Sequence, residues 1–173
     1  MTSLRSTSRR RALMALSLTA MAPFSRAAGS SRPAPEFAGI TAWLNSPPLT
    51  MAALRGQVVM VDFWTYGCIN CVHVLPHLVE WHEKYKERGL VLVGVHTPEF
   101  AFEHDTANVK KAIQRHGIRY AVAQDNKFAT WSAYQNRYWP TLYLVDRSGA
   151  LSFSHAGEGA YDEIERTLQR LLG

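Results

Sequence analysis

Cys68 and Cys71 are the only cysteines among 173 residues, and two residues separate them. A bond between them closes so small a loop that it removes little unfolded-chain entropy, so it suits switching better than stapling. Zinc sites use the same spacing but need four ligands, and there is no second pair. His73 and His77 share one helical face, but the step from Cys71 to His73 turns about 200° around the axis. Both histidines therefore point away from the thiols, toward solvent, and no metal is expected. Thiol chemistry is the better use of the pair. Cys68 falls at or just before a helix N-terminus, where unpaired N–H groups and the positive end of the dipole favour a thiolate. It is the expected nucleophile, and Cys71, one turn deeper, is the expected resolving thiol.

The elements that hold this pair can be read from the apolar pattern. Val58 to Trp64 is a continuous apolar, β-branched run after Gly56, which suits a strand buried on both faces; Asp62 is the exception. A helix from Asn70 to Arg88 follows, stopped by Gly89 and interrupted by Pro76. Leu90 to Val95 is a second buried strand and Asp105 to His116 a helix ending at Gly117. A short strand is expected at Tyr120 to Ala123 and a short helix at Phe128 to Tyr134. Strands at Thr141 to Val145 and Leu151 to Ser154 form a hairpin, and Ile164, Leu168 and Leu171 mark the inward side of a last helix. Strands alternating with helices before a closing hairpin give an α/β sheet covered on both faces.

Hydrophobic residues make up 47% and charged residues 19%, which excludes a disordered or coiled-coil chain, and the length fits one domain. The formal charge of +5 comes from Arg5, Arg9, Arg10, Arg11 and Arg26; without them 14 basic residues face 14 acidic ones. A nucleic-acid partner is therefore not expected. Residues 1–27 read as a signal peptide, with a basic start, an apolar stretch from Ala12 to Ala22 and small residues Ser25 and Ala27 before the cut. The stretch is too short to span a bilayer, so an exported, periplasmic or other extracytoplasmic protein is expected. Ser8-Arg9-Arg10-Arg11 resembles a twin-arginine signal, with the Sec route as the alternative. Residues 28–36 read as a flexible tether and 37–173 as the folded domain.

Several features together resemble the thioredoxin superfamily, especially the exported TlpA- and ResA-type proteins and the thioredoxin-like domains of DipZ-type proteins. They are Leu54-Arg55-Gly56, Asp62-Phe63-Trp64, Cys68-Ile69-Asn70-Cys71, Pro76, and Trp139-Pro140-Thr141. The resemblance covers residues 50–173. It implies a thioredoxin-like fold, a central mixed β-sheet flanked by helices, with a βα segment inserted between Val95 and Phe128. It implies that Asp62 is the buried carboxylate that moves a proton on or off the inner cysteine. Burial supports this separately, because an unpaired carboxylate among Val59, Val61 and Phe63 must have a raised pKa. The plainer alternative is an Asp capping a nearby N–H at the strand end. Pro140 matches a cis-proline facing the cysteines, and Trp139, bulkier than the usual residue there, and Tyr66 would contact substrate. Glu99 follows a strand parallel to the first, at the same sheet edge as Cys68, so it could tune the site; a solvated turn is the simpler account of it.

The resulting expectation is an exported thiol–disulfide oxidoreductase, acting as a reductase because no His lies between the cysteines. Its redox group would be the cysteine pair, with no other cofactor. Its substrate would be a disulfide-containing protein or a small disulfide, and relatives of this type imply a membrane electron-transfer protein as reductant. Two alternatives stand beside it. One is a peroxiredoxin-like peroxide reductase, for which Thr65 is present but no Arg lies in the motif. The other is a non-catalytic binding module in which the cysteines form a permanent staple.

Overall fold

A computed structural model describes residues 32–173. The 1–27 leader lies outside the described residues. Ten regular elements follow in order: β1 (Ala42–Leu44), β2 (Val58–Trp64), α1 (Ile69–Tyr85), β3 (Leu90–His96), α2 (Thr106–Arg115), β4 (Ala121–Gln124), α3 (Ala129–Ala133), β5 (Thr141–Val145), β6 (Leu151–Ala156) and α4 (Tyr161–Leu172). The strands form one six-stranded mixed sheet in the order β1-β4-β3-β2-β5-β6. Strands β2, β3 and β4 run parallel, while β1 pairs antiparallel with β4 and β5 antiparallel with β2 and β6. β3, α2 and β4 include the inserted segment.

All seven residues of β2 are buried, as its unbroken apolar run demands. Alternation along the strand divides the core in two. Val58, Met60 and Trp64 face α1, α2 and α4, meeting Leu75, Leu78, Val109 and Leu168. Val59, Val61 and Phe63 face α3 and the N-terminal segment, meeting Tyr134 and Met51. Each of these side chains contributes about 2 kcal/mol on burial. Asp62, on the α1 side by the same alternation, stands against that gain.

Four features depart from the sequence reading. Residues 32–36 do not hang free: Pro33 bridges to Ala150, and Ala34 N–H donates to the Gly149 carbonyl at 3.0 Å. The Glu36 carboxylate accepts the N–H groups of Met51 at 2.8 Å and Ala52 at 2.9 Å. β1 was not expected, because three residues carry too little pattern to announce a strand. The helix expected to reach Arg88 ends at Tyr85, and Lys86–Arg88 tighten into a 3-10 turn closed by Gly89 at φ 94°. On α4 it is Leu172 that is buried with Ile164 and Leu168, and Leu171 is only partly covered.

Candidate active site

The turn from β2 into α1 carries the cysteines to one edge of the sheet. Cys68 is the N-cap of α1, with φ −88° and ψ 115°, and its Sγ accepts the Cys71 N–H at 3.4 Å. A sulfur thus takes the place of the hydroxyl or carboxylate usual at that position. Cys68 is partly exposed, Cys71 is buried, and the two are unbonded to each other. Burial pushes the Cys71 thiol far up, and the nearby Asp62 charge adds to the rise. The outer sulfur therefore meets a substrate first and the inner one keeps its proton until something takes it.

Asp62 is the buried carboxyl whose charge bears on the Cys71 thiol. It is 1% exposed, its Oδ1 has no hydrogen-bond partner among the described residues, and burial raises its pKa from 3.8 to about 8. The alternative of a strand-end cap fails, since both neighbours in the sheet, Gly94 and Leu142, are strand residues paired with it. A carboxyl titrating near 8 beneath a buried thiol can take or return a proton at neutral pH.

The Trp139–Pro140 peptide is cis, and the Trp139 carbonyl lies 3.9 Å from Cys68 Sγ. The Trp139 ring is turned elsewhere, tilted 37° against Trp131 with centroids 4.2 Å apart while its Nε1–H donates to the Thr97 carbonyl at 3.1 Å. Backbone, rather than indole, is thus presented to the thiol. Tyr66 is fixed by its neighbours, stacked on His96 at 5.5 Å with its hydroxyl donating to the Phe102 carbonyl at 3.0 Å.

Glu99 does not reach the site with its side chain. It is exposed, and it is its backbone N–H that donates, at 2.6 Å, to Glu103. The carboxylate at the site is Glu103, which is fully buried. It also accepts from Phe100 N–H at 2.8 Å, Gly67 N–H at 2.8 Å and the Thr65 hydroxyl. Glu99 thus has the exposure of a solvated turn, and the buried acid of this loop is Glu103, which the sequence did not single out. The signal available was Gly67: a Cβ there would lie 2.6 Å from Glu103 Oε1, so the position before Cys68 must stay bare. His96 lies behind this group, fully buried, with Nε2 3.4 Å from the Thr65 hydroxyl and its pKa lowered by burial to about 4.

His73 and His77 are drawn away from the thiols. His73 Nδ1 lies 3.1 Å from Glu158, and His77 stacks on Tyr161 at 3.7 Å. Among the described residues no cluster of His, Cys, Asp and Glu has metal-holding geometry, and no helix is long and apolar enough to cross a membrane.

A buried carboxyl, a cysteine pair at a helix mouth and a cis-proline loop on one edge of a mixed sheet define a protein with the thioredoxin fold. A family model described as thioredoxin-like matches residues 56–151, and the chain belongs to that family. It is 49% identical over 142 residues to the protein DipZ of Mycobacterium bovis, covering 80% of this chain and 20% of DipZ. The chain thus spans about a fifth of that relative. It is 28% identical to the thiol-disulfide oxidoreductase YkuV of Bacillus subtilis, covering 82% of this chain and 95% of YkuV. The solution structure of a thioredoxin-like protein in the oxidised form superposes with a TM-score of 0.75 at 30% identity, covering 82% of this chain and 95% of that one.

Proposed function

We propose that this chain is an exported thiol–disulfide oxidoreductase that reduces disulfides through Cys68 and Cys71. The observation that carries the reading is the gradient of burial across the site: a partly exposed N-cap sulfur, a buried sulfur one turn further into α1, and a buried Asp62 carboxyl, unpaired at Oδ1, whose charge bears on that inner thiol. The Cys68 thiolate attacks one sulfur of a substrate disulfide, forming a new S–S bond while the other substrate sulfur leaves as a thiolate and takes a proton. Cys71 then gives its proton to Asp62, in the fraction of molecules in which that carboxyl is ionised, and attacks Cys68 Sγ. The second substrate sulfur leaves and is protonated, so two electrons and two protons have passed to the substrate and the pair is a disulfide.

The cysteine pair is the redox group in this reading and calls for no added cofactor. An extended segment of a disulfide-containing protein, or a small disulfide, meets Cys68 beside the Trp139 carbonyl, with Pro140 shaping the groove and Tyr66 at its border. A membrane electron-transfer protein would return the pair to its dithiol form, and the leader-like residues 1–27 support work outside the cytoplasm. The peroxide-reducing alternative, suggested by the inserted segment, is the less favoured reading, because the Thr65 hydroxyl it would use donates to Glu103.

Insulin disulfide reduction driven by dithiothreitol tests the proposal. The wild-type chain accelerates precipitation, Cys68→Ser is inert, and Cys71→Ser accumulates a mixed disulfide through Cys68. A wild-type chain no faster than dithiothreitol alone refutes it.

A further inference from the structure

We propose that Glu103 is a positioning residue that clamps the loop before Cys68 and biases the Cys68–Cys71 pair toward its disulfide form. This inference deepens the thiol–disulfide reading above and rests on it.

Four donors converge on one carboxylate: the Thr65 hydroxyl and Gly67 N–H from the active-site turn, and the Glu99 and Phe100 N–H groups from the loop after β3. Every partner donates, which is the arrangement an acceptor-only carboxylate takes. Two segments that share no backbone ladder are joined there. Gly67 is bare because the Glu103 oxygen occupies the place of a side chain.

No Lys or Arg pairs with Glu103 among the described residues, and His96, whose Nε2 lies beside the same Thr65 hydroxyl, is held neutral at pH 7 by burial. Asp62, the other buried carboxyl of the site, is mostly protonated at pH 7 for the same reason. The Glu103 carboxylate thus sits on the N–H of Gly67, the residue before Cys68. It uses the Gly67 N–H, a donor at the helix mouth, and its field opposes the α1 amides that favour a Cys68 thiolate. A less favoured thiolate leaves the dithiol form less stable relative to the disulfide, which makes the pair a stronger reductant.

The test is the pH profile of Cys68 alkylation by iodoacetamide, read by mass on the reduced full chain, in wild type and Glu103→Gln. The alkylation midpoint is expected to fall by about one pH unit in the variant, a tenfold change in the acid constant. In buffer alkaline enough to ionise Cys68 in both forms, the equilibrium with glutathione should move about tenfold toward the dithiol, or about 30 mV. A folded Glu103→Gln chain with an unchanged midpoint overturns the proposal. If that variant does not fold, Gly67→Ala serves instead, since its Cβ displaces the carboxylate; a downward shift supports the clamp and an unmoved midpoint rejects it. The alkylation readout needs no disulfide substrate. A wild type inactive on insulin that still shows the Glu103→Gln shift sinks the reductase reading alone, and an active wild type with no shift sinks this inference alone.

Discussion

Replacing Asp62 by Asn should make the protein more stable and a poorer catalyst. The unfolded chain ionises this carboxyl above pH 3.8, whereas the folded chain keeps it protonated until about 8. Between those values the folded state binds more protons, so the contribution of Asp62 to stability falls as pH rises. At about 1.4 kcal/mol for each pH unit, the loss reaches roughly 4 kcal/mol at pH 7 and levels off above pH 8. Asn keeps the shape and does not titrate. The difference in unfolding free energy between Asp62→Asn and wild type should therefore be small at pH 4, grow to about 4 kcal/mol at pH 7, and stop growing above 8. Urea denaturation at several pH values measures it, and the melting temperature at pH 7 should rise by about 10 °C. The same variant lacks the proton acceptor for Cys71, so release of the mixed disulfide should slow about a hundredfold and lose its rise with pH through 8. A stability difference that stays flat from pH 4 to 8, or a variant that turns over like wild type, refutes the reasoning.

Three other perturbations follow from the same geometry. His96 takes a proton below 6.5 when unfolded but only below about 4 when folded, so its contribution is present above 6.5 and lost as pH falls toward 4. His96→Gln should remove an acid-side loss of about 3 kcal/mol, seen as a shallower fall in chemical stability between pH 6.5 and 4. Glu36→Ala deletes the acceptor for Met51 and Ala52 N–H groups and should cost about 1 kcal/mol in urea unfolding with insulin reduction unchanged. Trp139→Ala loses the ring contact with Trp131 and should cost about 2 kcal/mol, yet initial insulin reduction should stay within a few-fold, because the carbonyl of residue 139 is what faces Cys68.

Strands whose pattern is local were legible in the residues, and contacts made across the fold were not. β2 and β5 match their expected bounds residue for residue, because each is a compact apolar, β-branched run set off by a turn residue, Gly56 before β2 and Pro140 before β5. The cysteines could be placed at a helix mouth because the step from a period of two to one of 3.6 falls between Trp64 and Cys71. β1 exists only through pairing of Ala42–Leu44 with Val122–Gln124, far along the chain. Its burial is completed by Trp43 against Phe37 at 5.4 Å. Glu103 was hidden for a related reason: it lies on a 3-10 turn directly after exposed Phe100 and Phe102, where no periodicity marks it, and its partners Thr65 and Gly67 come from another loop. The short step from Leu171 to Leu172 is a phase error that a helix of 3.6 residues per turn permits at its last turn.

The reduction potential of the Cys68–Cys71 pair, from equilibrium with glutathione and the masses of alkylated products, tests the central claim most directly. The account predicts one two-electron transition between dithiol and disulfide with a potential below about −200 mV, on the thioredoxin side of the known range. A pair that titrates as two independent thiols, or lies above about −150 mV, would contradict it.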